Sequence, residues 1–151
     1  MPEEVFYPHI QLVRLHCVEF TPDGKFLLAN DLGTDKIHVF SLKSNGQLDK
    51  ENTFDVELEP GSGPRHLCFS KDGRFAYLIN ELSGKVTTLF YNGQNLTPIQ
   101  YIEADTLNAQ GSADIHLSPD GKFLYASNRL QTLHQRGLPF EEEKGRRSVW
   151  V

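Results

Sequence analysis

The sequence predicts an all-β fold of the β-propeller type, about three consecutive four-stranded antiparallel blades of an incomplete ring. Three observations predict it. The string FTPDGKFLLAN at 20–30 returns as FSKDGRFAYLIN at 69–80 and as LSPDGKFLYASN at 117–128. The aspartates of its Asp-Gly pair, Asp23, Asp72 and Asp120, fall 49 and 48 residues apart, a period that signals a stacked repeat architecture. Each pair separates two short runs of apolar, aromatic and β-branched residues, which is a hairpin signal. Gly24, Gly73 and Gly121 can supply the positive φ that such turns want.

The remaining elements follow in chain order. In the first blade, 12–60, the hairpin leads through LGTD into a third strand, KIHVFSL at 36–42, and a fourth at 52–58. The second blade, 61–110, repeats this with LSG, the strand KVTTLFY at 85–91 and a fourth strand at 97–103. The polar stretches EPGSGP at 59–64 and DTLNAQGS at 105–112 carry the chain between blades. Four antiparallel strands in about 48 residues describe a propeller blade. The Gly-Gly doublet of kelch repeats and the Trp-Asp dipeptide of WD40 repeats are absent. The third blade, 111–130, keeps only its hairpin. The segment 131–151 shows no alternation and a charge cluster, with Glu141–Glu143 beside Arg146 and Arg147, and reads as an irregular, solvated tail where a strand is due.

Propellers close with roughly four to eight blades. Three leave two unpaired flanks, so the chain reads as an arc from a longer protein, with self-association through unpaired blade edges expected when it stands alone.

Composition narrows the function. At 151 residues, 38% hydrophobic and 23% charged, the chain is globular rather than disordered. A net charge of -5 argues against nucleic acid and acidic membranes as partners. No apolar run of the length a membrane helix needs is present. Glu3 and Glu4 stand where a signal peptide would be basic, and Cys17 and Cys68 make no disulfide framework. A reduced, cytoplasmic setting is expected. There is no Gly-x-Ser-x-Gly elbow, no phosphate-binding loop and no zinc spacing, so neither cofactor nor metal is expected.

Propeller topology gathers the polar residues. The start of a blade's first strand and the end of its second lie side by side, on the face opposite the Asp-Gly turn. This sets His16 beside Asp31, Arg65 and His66 beside Asn80 and Glu81, and Asp114 and His116 near Asn128 and Arg129. Such a cluster suits an anionic substrate: arginine matches phosphate and carboxylate geometry, His or a carboxylate can take a proton from water, and Arg or His can hold an oxyanion. His16, His66 and His116 recur at blade starts, and His66 is the better functional candidate, His116 lying deeper in its strand. Glu81 and Arg129 differ from blade to blade, which a purely structural repeat does not require. Asp31, Asn80 and Asn128 are equivalent and can equally tie a strand to its turn. Cys17 and Cys68 read as small buried residues.

These residues carry a family likeness. The segments at 29–36, GPRH at 63–66, INEL at 79–82 and ADIHLSPDGKFLYASNR at 113–129 resemble the seven-bladed propeller lactonases, the family of the propeller-type 6-phosphogluconolactonases. The resemblance implies a ring of about 340 residues. It implies hydrolysis of 6-phospho-D-glucono-1,5-lactone to 6-phosphogluconate in the pentose phosphate pathway, with muconolactone-type substrates as the alternative chemistry and a non-catalytic binding module as the alternative use of the face. Its motifs put the channel-mouth residues at Arg65, His66, Glu81, Asp114 and Arg129. Arg65 and Arg129 would bind a small anionic lactone or stabilise its tetrahedral oxyanion; His16 and Asp31, which the topology rather than the resemblance brings to the mouth, are further candidate substrate-binding residues. Glu81 or Asp114, with His66, would activate water, and no metal is required. With blades missing, this chain alone is expected to be weak or inactive.

Overall fold

The computed structural model describes residues 13–105, 111–129 and 146–150. These residues form three antiparallel sheets, and no helix among them is long and apolar enough to cross a membrane. The first sheet runs β1 (Leu15–Phe20), β2 (Phe26–Asp31), β3 (Lys36–Leu42), β4 (Leu48–Glu57). The second runs β5 (Pro64–Phe69), β6 (Phe75–Asn80), β7 (Lys85–Tyr91), β8 (Leu96–Glu103). The third holds β9 (Ser112–Leu117), β10 (Leu124–Arg129) and β11 (Arg146–Trp150), with β10 central. This is the all-β, partial-propeller architecture the repeat predicts.

Each Asp-Gly turn is built alike. Ser70 Oγ donates to Asp72 Oδ1 at 2.6 Å and Ser118 Oγ to Asp120 Oδ1 at 2.5 Å, while each aspartate also accepts the backbone N–H two residues on. Gly73 has φ +70, and a Cβ there would stand 3.0 Å from Pro22 in the neighbouring blade's turn. The glycine therefore serves both the turn and the stacking of one blade on the next.

The core lies between blades, not within them. Leu28, Ile37, Val39 and Val56 of the first sheet pack on Leu67, Ala76, Leu78 and Leu89 of the second. Ile79, Val86 and Ala104 pack on Ile115 and Ala126 of the third. Strand alternation makes this possible: in β3, Ile37 and Val39 are buried against the second sheet while His38 between them faces the other way. Tyr91 of the second blade reaches back to the first, its hydroxyl donating to Asp23 Oδ2 at 2.9 Å. Val18 and Phe20 hold in β1 the register positions of Leu67 and Phe69 in β5. Yet they are 60% and 56% exposed, whereas Leu67 is 5% exposed beneath the first blade. The first sheet thus presents the same kind of face that its neighbours bury.

One expectation is corrected. Residues 146–150, read as part of an irregular tail, form β11, paired from Tyr125↔Trp150 to Arg129↔Arg146 as β3 pairs with β2. Sixteen residues (130–145) separate it from β10, against four between β2 and β3. The insertion breaks the period that sequence patterning needs, and the free edge of β10 supplies the partner. The acidic run Glu141–Glu143 lies outside the described residues.

Asp31 is fully buried at the end of β2. It accepts from Arg14 N–H at 2.6 Å, Gly33 N–H at 3.0 Å and Thr34 Oγ at 2.7 Å, and faces His38 Nε2 at 3.3 Å. His38 Nδ1 lies 2.7 Å from Asp55 Oδ1. Burial alone would lower the His38 pKa, but hydrogen bonds to Asp55 and Asp31 outweigh it and raise it above 6.5. A raised folded-state pKa adds stability that is full below the unfolded value and lost as pH rises through the folded value. Melting temperature is therefore expected to fall from pH 6 to pH 9, and His38→Gln to flatten that fall. A wild-type slope retained in the variant would assign it to other groups.

Candidate active site at the channel mouth

The inner strands β1, β5 and β9 stand side by side. Each carries a β-bulge near its start, between Leu15 and Cys17, between Pro64 and His66, and between Ser112 and Asp114. The extra residues are His16, Arg65 and Ala113. Bulges re-aim side chains at such rims. At the end of the second strand of each blade the same hydrogen bond recurs: Leu32 N–H to Arg14 O at 3.0 Å, Glu81 N–H to Gly63 O at 2.7 Å, and Arg129 N–H to Gly111 O at 3.1 Å. Gly63 is required here, with φ +63 and a would-be Cβ 2.5 Å from Leu82 Cγ.

Two linked groups of side chains result. Glu81 bridges two guanidinium groups, with Arg65 Nε 2.6 Å from Oε2 and Arg129 Nη2 2.8 Å from Oε1. Arg65 Nη1 also donates to the carbonyl of Ala113, and Arg129 Nε to the carbonyl of Gly111 at 3.2 Å. Glu81 and Arg65 are mostly buried, but the Arg129 side chain keeps 48% exposure. The second group centres on Asp114. Its Oδ1 faces His66 Nδ1 at 2.8 Å and accepts Ile115 N–H at 3.0 Å, and its Oδ2 faces His116 Nε2 at 3.0 Å. Burial would raise the Asp114 pKa, but the hydrogen bonds from His66, His116 and Ile115 hold it below 3.8, so the carboxylate is ionised at neutral pH.

A cavity of about 480 Å³ opens over Arg65, His66, Asp114, His116 and Arg129. A second, of about 570 Å³, shares His66, Asp114 and His116 and continues past Cys17 and Cys68. Both cysteines are half-buried and free. Burial pushes the Cys68 thiol up to about 11, and Cys17 upward as well, so neither is a ready thiolate. Among the described residues no group of three or more His, Cys, Asp or Glu is placed to hold a metal ion.

Of the residues singled out from sequence, Arg65, His66, Glu81, Asp114 and Arg129 come together. His116 joins them through Asp114. His16 is exposed on β1, at the bulge position that Arg65 holds in the next blade. Asp31 stands apart as a turn clamp, and Asn80 acts likewise, its Nδ2 donating to Lys85 O at 3.0 Å; Asn128 instead ties its strand to the preceding blade, its Nδ2 donating to Ala104 O at 3.3 Å. The three histidines are not equivalent. Register groups His16 with Arg65 and Ala113, His66 with Cys17 and Asp114, and His116 with Glu19 and Cys68. Counting seven residues back from Asp23, Asp72 and Asp120 gives the first of these groups from sequence alone. Sequence reasoning overlooked Asn30, whose Nδ2 donates to Arg65 O at 3.0 Å and fixes the bulge.

Repeated four-stranded sheets, stacked face to face with charged strand tips at one end of a shared axis, define a β-propeller. More narrowly, the chain belongs to the seven-bladed β-propeller lactonase family, whose model, "Lactonase, 7-bladed beta-propeller", matches residues 8–137. It is 42% identical over 119 residues to 6-phosphogluconolactonase of Formosa agariphila, covering 76% of this chain and 34% of that protein. A solved Bacteroides fragilis protein, assigned provisionally as a 6-phosphogluconolactonase, superimposes with TM-score 0.72 at 53% identity, over 86% of this chain and 38% of that one. The periplasmic gluconolactonase of Pseudomonas aeruginosa does so with TM-score 0.70 at 41% identity, over 78% and 34%. The chain thus spans about a third of the length of these relatives.

Proposed function

We propose that these blades supply the catalytic part of the channel mouth in a sugar-phosphate lactonase, which opens 6-phospho-D-glucono-1,5-lactone to 6-phosphogluconate once the ring is complete. The observation that carries this reading is the His66–Asp114 pair beside two arginines over one cavity. With Nδ1 turned to Asp114, His66 presents Nε2 to the cavity as a proton acceptor. Water gives its proton to Nε2 as its oxygen adds to the lactone carbonyl carbon. Arg129, the more exposed guanidinium, faces the resulting oxyanion or the phosphate. The tetrahedral intermediate collapses by breaking the ring C–O bond, and the imidazolium returns the proton to the leaving alkoxide. Both oxygens of Glu81 face arginines, which favours Asp114 with His66 as the base and makes Glu81 a positioning residue. The exposed blade-accepting face at Val18 and Phe20 supports completion of the ring by further blades. In the chain alone it is where copies would associate.

The test is lactone opening followed by pH-stat, for this chain and for a chimera in which it replaces the matching third of the Formosa relative. Turnover of the phosphorylated lactone by the chimera, with little by the chain alone, is expected. A folded chimera active only on muconolactone-type substrates would overturn the substrate, and one inactive on every lactone would overturn the reading.

A further inference from the structure

We propose that His116 is a positioning residue that, by sharing the Asp114 carboxylate, keeps His66 available as a proton acceptor; this rests on the reading of His66 as the base. Strand alternation places residues 114 and 116 on the same side of β9, and the two imidazoles divide the carboxylate between them. His66 Nδ1 faces Oδ1 at 2.8 Å and His116 Nε2 faces Oδ2 at 3.0 Å. A carboxylate devoted to one imidazole favours the imidazolium form, and an imidazolium cannot take a proton from water. The second imidazole competes for the same charge and fixes the plane of the carboxylate. His116 does this while exposed, its side chain 73% accessible against 34% for His66, so its position is not explained by packing. The other ionisable groups around the pair are Cys17 and Glu19 from β1, Arg65 and Cys68 from β5, and Tyr125 and Arg129 from β10, with Glu81 behind the arginines. The arginines oppose a positive charge on His66 and Glu19 favours one, and Asp114 is the group in direct contact with it, at 2.8 Å.

The experiment is an NMR titration of the whole chain with ¹⁵N-labelled histidine, wild type against His116→Ala. The His66 titration midpoint is expected to rise by roughly half to one pH unit in the variant. His116→Gln, which keeps a donor near the Nε2 position without a charge, is read in the same way should the alanine variant fail to fold, with a smaller rise expected. An unmoved or lowered His66 midpoint in the folded variants would overturn the proposal. The titration needs no turnover, so an inactive protein leaves it intact. Conversely, if the acid limb of the pH–rate profile of the chimera stayed fixed while the NMR midpoint moved, the reading of His66 as base would fail and the pairing would stand.

Discussion

Replacing His66 by alanine in the completed ring is expected to lower kcat for lactone opening by about 100- to 10,000-fold, the usual contribution of a positioned acid–base group, with KM little changed. His66 sits where β5 resumes pairing after its bulge, opposite Ile79 of β6, and its Nδ1 is fixed by a carboxylate from the next blade. Removing it deletes the proton acceptor but leaves Arg65, Glu81 and Arg129 tied to one another, so substrate affinity survives. A pH-stat assay separates the two parameters. A loss confined to KM would make His66 a binding group and move the proton transfer elsewhere.

The largest structural effect at the mouth is expected from Glu81→Ala, about 2–3 kcal/mol of stability in urea unfolding. Arg65 is 17% exposed and Glu81 16% exposed, so without the carboxylate one guanidinium is left largely out of water beside another from the neighbouring blade. Arg129→Ala is expected to cost less than about 1 kcal/mol, because its 48% exposed side chain is screened by solvent. Equal losses in the two variants would mean that Glu81 is not the hub of the network.

The fold was legible because its signal is local. Asp-Gly turns with flanking alternation at 20–30, 69–80 and 117–128 fix the hairpins one by one, and their period fixes how they stack. β11 was not legible, since sixteen intervening residues remove the period and Arg146 to Trp150 alternate too weakly to announce a strand. Legibility of the site stopped at the same boundary between local and long-range information. Strand ends told which residues reach the mouth, but not that Asp114 would face His66 from the adjoining blade while Glu81 faced two arginines. Those pairings depend on bulges at His16, Arg65 and Ala113 and on how one sheet is rotated against the next. Asp31 shows the converse: it occupies a promising position, yet the backbone N–H groups of Arg14 and Gly33 and the Thr34 hydroxyl claim its oxygens.

The most direct measurement is a double-mutant cycle on lactone turnover with His66→Gln, Asp114→Asn and the pair together in the completed ring. Residues that act as one unit lose no more together than the worse single change does, so the double variant is expected to match His66→Gln within a few-fold. Losses that multiply, or full turnover in either single variant, would contradict a base assembled across two blades.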